Sequence, residues 1–116
     1  MESLALANQI AEIVVDRLGE DILILDLTEV TTFADYFVIC TGNSRRQLDA
    51  LQAAIREELK QIEVVPLPIS IEGDPDGGWI LLDYNSVIVH LFSAEMRAYY
   101  QLEELWKNGR IVARIQ

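Results

Sequence analysis

The stretch Trp79 to Phe92, WILLDYNSVIVHLF, constrains this chain more than any other. Two apolar runs flank Asn85-Ser86, and Asn followed by a small polar residue suits a tight hairpin loop. With that loop, Tyr84 faces Val87, Leu82 faces Val89, Leu81 faces His90 and Trp79 faces Phe92. Side chains alternate across a strand, so the hairpin has two distinct faces. One carries Ile80, Leu82, Tyr84, Val87, Val89 and Leu91, apolar but for one phenol, and reads as core. The other carries Trp79, Leu81, Asp83, Ile88, His90 and Phe92, which sets a carboxylate and an imidazole among large hydrophobes. That mixed face is the strongest functional lead in the sequence.

The rest of the chain supplies partners for the core face. Ser3 is positioned to cap a helix whose apolar positions Leu6, Ile10, Ile13, Val14 and Leu18 recur at steps of three and four, with Gly19 as a stop. Ile22 to Leu27 reads as a buried strand, and Tyr36 to Thr41 as a second. Ser44 and Gln47 form a capping box ahead of a helix that buries Leu48, Leu51, Ile55, Leu59 and Ile62. Pro66 and Pro68 cannot donate to a ladder, so a strand over Pro68 to Ile71 is expected to be short and at a sheet edge. The loop Gly73 to Gly78 leads into the hairpin. Ser93 then caps a helix over Ala94 to Trp106 that presents Ala98, Leu102, Leu105 and Trp106 on one face. The order α-β-β-α-β-β-β-α predicts one α/β domain with a mixed sheet packed by helices over residues 1–106. Residues 107–116 are expected to be a tail that extends the helix or frays.

Length and composition narrow the function. The chain has 116 residues and is 51% hydrophobic, enough for a core without disulfides or metals. No apolar run approaches the roughly 18 residues of a membrane span. The acidic, apolar N-terminus resembles neither a signal nor a transit peptide. The single cysteine, Cys40, lies within an apolar run and reads as a buried structural thiol, which points to a reducing cytoplasm. The formal charge of −10 repels phosphate backbones, so general nucleic-acid binding is not expected; a basic partner is.

Several constellations carry two readings. Gly42-Asn43-Ser44-Arg45-Arg46 places free N–H groups and two cations at a helix start. The segment suits an anion contact or a capped helix with solvated arginines. Gly-x-Ser after a strand also opens nucleotidyl transferase sites, which need carboxylates on a neighbouring strand to hold magnesium. Asp74-x-Asp76 sits in a Gly/Pro loop that turn chemistry explains, and Asp26 and Asp83 are single acids on separate strands. No metal or other cofactor is expected. His90 has no second His to complete a metal site and is either a structural or an interface histidine. Trp79 is either half-buried packing or a binding anchor.

These residues resemble the ribosomal silencing factor, or Iojap-related, family. The likeness runs through Asp26-Leu27, Ala34-Asp35-Tyr36-Phe37-Val38-Ile39-Cys40-Thr41-Gly42-x-Ser44-x-Arg46 and Glu72-Gly73. It continues in Trp79 to Tyr84, Val87 to His90 and Arg97-x-x-Tyr100-x-Leu102-Glu103-x-Leu105-Trp106. Asn85 stands where the family usually has Gly, and Asn43 replaces the commoner Thr or Ser. The resemblance implies a nucleotidyltransferase-like fold without the catalytic carboxylates, and a protein that is not an enzyme. It further implies docking on ribosomal protein L14 of the large ribosomal subunit, which blocks the small subunit and represses translation when nutrients are scarce, and an ability to form homodimers. Partner contacts are then expected at Trp79, Asp83, Tyr84, His90, Arg97 and Tyr100, with an anion or dimer contact at Ser44 and Arg46. Large-subunit assembly and a nucleotidyl transferase activity are the rival functions.

Overall fold

A computed structural model describes residues 1–62, 68 and 70–116 of the chain. The elements run α1 (Ser3–Asp16), β1 (Glu20–Asp26), β2 (Tyr36–Gly42), α2 (Arg45–Lys60), β3 (Ser70–Asp74), β4 (Trp79–Asp83), β5 (Val87–Ser93), α3 (Ala94–Tyr100), α4 (Leu102–Leu105) and β6 (Arg110–Ile115). The six strands form one sheet in the order β3-β4-β5-β2-β1-β6. β2 and β5 are parallel and the other neighbours antiparallel, so the fold is the expected single-domain mixed α/β sheet.

The hairpin has the register its sequence predicts. Trp79 pairs with Phe92, Leu81 with His90 and Leu82 with Val89. Asn85 takes a left-handed φ of 74°, and its N–H donates to Asp83 Oδ1 at 2.7 Å, a turn that Asn tolerates where most residues would strain. The alternation then divides the core. Ile80, Leu82, Tyr84, Val87, Val89 and Leu91 meet α1 and α2 in one apolar cluster. Phe92 and Ile88, with Trp79 and Leu81 at its margin, join Leu25, Phe37, Leu102 and Trp106 in a second cluster on the other face. The centre of the sheet is therefore covered on both sides, which lets β2 bury all seven of its residues, while the edge strands β3 and β6 stay largely exposed.

Local details depart from expectation where long-range packing decides. Glu2, without a side-chain hydrogen bond, occupies the N-cap of α1, and Ser3 is the first helical residue. Leu18 leaves the helical stripe altogether: it has a φ of 64° and is 77% exposed. Gly19 does matter, but for space: a Cβ there would come within 2.6 Å of Cys40 Sγ. Ser44 Oγ caps α2 by accepting the Gln47 N–H at 3.0 Å. The Gln47 side chain returns to the Asn43 N–H at 2.6 Å, not to Ser44, and its amide nitrogen donates to Leu18 O at 2.8 Å. That single side chain ties the start of α2 to the end of α1.

The edge strand β3 begins at Ser70 and runs through Gly73-Asp74, into the segment read as loop; residue 69 and the Pro66 restriction lie outside the described residues. The expected helix over Ala94 to Trp106 breaks at Gln101, whose φ of 46° and ψ of 52° are left-handed. Ala98 and Leu105 consequently face solvent, while Leu102 enters the core. The segment expected to extend or fray instead forms β6, which pairs antiparallel with β1 and sets Ala113 on the first cluster. Arg110 Nη2 donates to Asp26 Oδ2 at 2.9 Å and fixes one end of that pairing.

A stacked tryptophan at the edge of the mixed face

Trp79, His90 and Tyr100 come together on the mixed face. β4 and β5 place Trp79 beside His90 and opposite Phe92, and α3 returns over the sheet to bring in Tyr100. The indole stacks on the Phe92 ring at 5.1 Å and 27°, and meets the Tyr100 ring at 4.5 Å. Its Nε1–H donates to His90 Nδ1 at 3.2 Å. Tyr99 in turn sets its edge on Tyr100 at 5.0 Å and 89°. The stack thus passes from the fully buried Phe92 through half-buried Trp79 to Tyr100, which is 44% exposed. Beside it, Glu72, Gly73, Trp79 and Leu81 line a shallow groove of about 240 Å³. Gly73, at a φ of 80°, brings its backbone against Trp79 so closely that no Cβ fits.

His90 is only 4% exposed and packs edge-on against Phe37 at 4.6 Å. Because Nδ1 accepts from Trp79, the neutral ring carries its proton on Nε2, which is buried without a hydrogen-bond partner among the described residues. Burial holds its pKa down, from 6.5 to about 4. The histidine is therefore a structural support for Trp79. As pH falls through that window, the unfolded chain takes up a proton before the folded one does, so stability is lost on acidification. The loss should reach up to about 3 kcal/mol near pH 4. Urea unfolding between pH 7 and 4 should show this slope in wild type and a flatter one in His90→Gln, which keeps an acceptor for Trp79; equal slopes would remove His90 from the acid response.

The other expected site residues are dispersed. Asp83 ends β4 on the mixed face and is occupied by the Asn85 N–H. Tyr84 is buried on the opposite face, in the α1/α2 cluster, where desolvation raises its phenol pKa; strand parity separates it from Trp79. Arg97 is engaged within the chain: Nε donates to Glu103 Oε1 at 3.2 Å, and Nη1 to Thr41 Oγ1 at 2.9 Å and to Asp21 O. Ser44 is committed to its cap, Arg45 pairs with Asp76 at 2.6 Å, and Arg46 is exposed on the first turn of α2. Leu81 and Glu72, paired across β3 and β4, complete the groove; neither is among the expected partner contacts, although Leu81 belongs to the mixed face by its alternation with Trp79.

The carboxylates of the transferase reading do not converge. Asp26 lies on the α1/α2 face, paired with Tyr36, and Asp83 on the other, paired with Ile88. Asp26 also sits at the end of the β1–β2 ladder away from Gly42, about 20 Å along a seven-residue strand. It accepts from Thr28 Oγ1 at 2.6 Å, Thr28 N at 2.9 Å and Arg110, bonds that lower its pKa to about 2. Burial pushes the Cys40 thiol up to about 12, the opposite of an activated nucleophile. Among the described residues no group of three or more His, Cys, Asp or Glu could hold a metal ion, and no helix is long and apolar enough to cross a membrane.

The family model for the ribosomal silencing factor during starvation matches residues 1–116. The chain belongs to the ribosomal silencing factor family. A ribosomal silencing factor of Bacillus subtilis is 40% identical over 96 residues, covering 81% of this chain and 78% of the relative. A mouse protein, mitochondrial assembly of ribosomal large subunit protein 1, is 33% identical over 89 residues, covering 76% of this chain and 39% of that protein. A crystal structure of a Chromobacterium violaceum protein superposes with a TM-score of 0.86 at 31% identity, covering 100% of this chain and 94% of the other. Within this silencing-factor fold, Trp79 and Tyr100 carry the aromatic stack from the buried Phe92 out to the surface.

Proposed function

We propose that this protein is a translational repressor, acting without catalysis in the cytoplasm under nutrient limitation. It docks through Trp79, Tyr100 and Leu81 on ribosomal protein L14 of the large subunit, and its bulk excludes the small subunit. One observation carries the reading: a tryptophan fixed from below by His90 and Phe92 continues outward into an exposed tyrosine beside an apolar groove. Aromatic side chains held rigid before contact make good anchors, since little conformational entropy remains to be lost on binding. The net charge of −10 suits a basic ribosomal protein and steers its approach.

Purified protein should comigrate with mature large subunits in a sucrose gradient and prevent their joining to added small subunits; free migration, or joining unaffected by bound protein, would overturn the proposal. Association should be sensitive to salt. Raising ionic strength from low to physiological should slow the association rate about tenfold with little change in dissociation, and an unchanged rate would remove electrostatic steering. The mouse relative's name favours a second reading, a large-subunit assembly factor. Deleting the protein would then leave immature large subunits, where repression alone leaves mature ones.

A further inference from the structure

We infer that Arg97 is a positioning residue of the docking face: it clamps the elbow between α3 and α4 and so holds Tyr100 on Trp79. The inference rests on the docking proposed above and assigns Arg97 a role other than contact with the partner. α3 buries none of its seven residues, so apolar packing alone is a weak guide to its position. Arg97 supplies the missing constraint. Its side chain, 10% exposed, reaches the carbonyl of Asp21 at the start of β1 and the hydroxyl of Thr41 near the end of β2. It also spans the elbow to Glu103 in α4 at 3.2 Å.

That last bond requires the elbow. In a continuous helix of about 3.6 residues per turn, positions six apart point about 120° away from each other. The left-handed Gln101 removes this separation; its N–H still donates to Arg97 O at 3.0 Å as the last ordinary helical bond of α3, so it is the Arg97 side chain that spans the bend. A non-glycine residue in this conformation is strained and persists only where its surroundings over-determine it. Leu102, buried just past the bend, and the Tyr100 ring on Trp79 just before it, are what the bend delivers. With Arg97 gone, α3 and α4 are free to straighten, and Tyr100 leaves the indole.

The test compares Arg97→Met, Tyr100→Ala and the double variant in the full chain. Each carries Trp106→Phe, so that emission reports Trp79 alone, and that background serves as the reference. Arg97→Met is expected to red-shift the free protein's emission, make it more accessible to acrylamide, and weaken large-subunit binding by about tenfold. Tyr100→Ala should weaken binding similarly, and the double variant no more than Tyr100→Ala does. Additive losses with unchanged emission would make Arg97 a direct contact and overturn the inference, as would Arg97→Met binding like the reference. Should Arg97→Met fail to fold, Glu103→Met removes the acceptor and opens the elbow while sparing the bonds to Asp21 and Thr41; emission unchanged in that variant would overturn the clamp. A reference protein that ignores large subunits would defeat the docking proposal, and the emission arms would still decide the clamp.

Discussion

Trp79→Ala is expected to leave a folded protein that no longer holds the large subunit. Truncating a tryptophan anchor at an interface centre commonly costs at least about 2 kcal/mol, roughly thirtyfold in affinity. Stability should fall as well, because the indole packs on Phe92 and Tyr100 and donates to His90. Removing a fully buried Phe or Trp costs about 3–5 kcal/mol; half-burial brings the expectation to about 2 kcal/mol, within the 5–15 kcal/mol of an ordinary domain. Thermal unfolding and binding to isolated L14 should be measured on the same preparation. An unfolded variant would make Trp79 a core residue, and one that binds as wild type would move the docking surface elsewhere. Trp79→Phe separates the two roles: it keeps a ring for stacking but leaves His90 Nδ1 buried without a donor, at about 1–3 kcal/mol.

The hairpin was legible from sequence because everything that sets its register is local. A period-two apolar pattern on both sides of Asn85-Ser86 admits one pairing that buries a clean face. The mixed face, and with it Trp79 and His90, followed from the same parity. Tyr84 belonged to the core face by that count, and its place there is what the strand dictates. The elbow and β6 were not legible for a common reason: their causes lie far away in the chain. Nothing between Ala94 and Trp106 is a Gly or Pro, and glutamine does not announce a left-handed bend. The bend follows from an arginine that finds Thr41, 56 residues away. Likewise Arg110 to Ile115 carries strand-forming residues but no turn that names a partner, and its anchoring bond to Asp26 spans 84 residues.

Phe92 is where the fold and the proposed function meet, so its truncation should have the largest effect on stability. It is 0% exposed, pairs with Trp79 across the hairpin and lies under the indole, with His90 at 6.1 Å and Tyr100 at 6.2 Å. Phe92→Ala removes the floor of that stack at an expected cost of about 3–5 kcal/mol, a large share of a domain's total stability. Phe92→Leu keeps most of the volume and loses the ring, at about 1 kcal/mol for the aromatic pairing. The informative comparison is with Trp79→Ala. Phe92→Leu leaves every surface atom of the docking face in place, so any loss of affinity for the large subunit arises from a loosened tryptophan. Binding should weaken about threefold to tenfold, as a less rigid anchor gives up more conformational freedom on contact. Binding equal to wild type, with urea unfolding showing the expected loss of stability, would mean that Phe92 serves the fold alone and that the rigidity of Trp79 contributes nothing to docking.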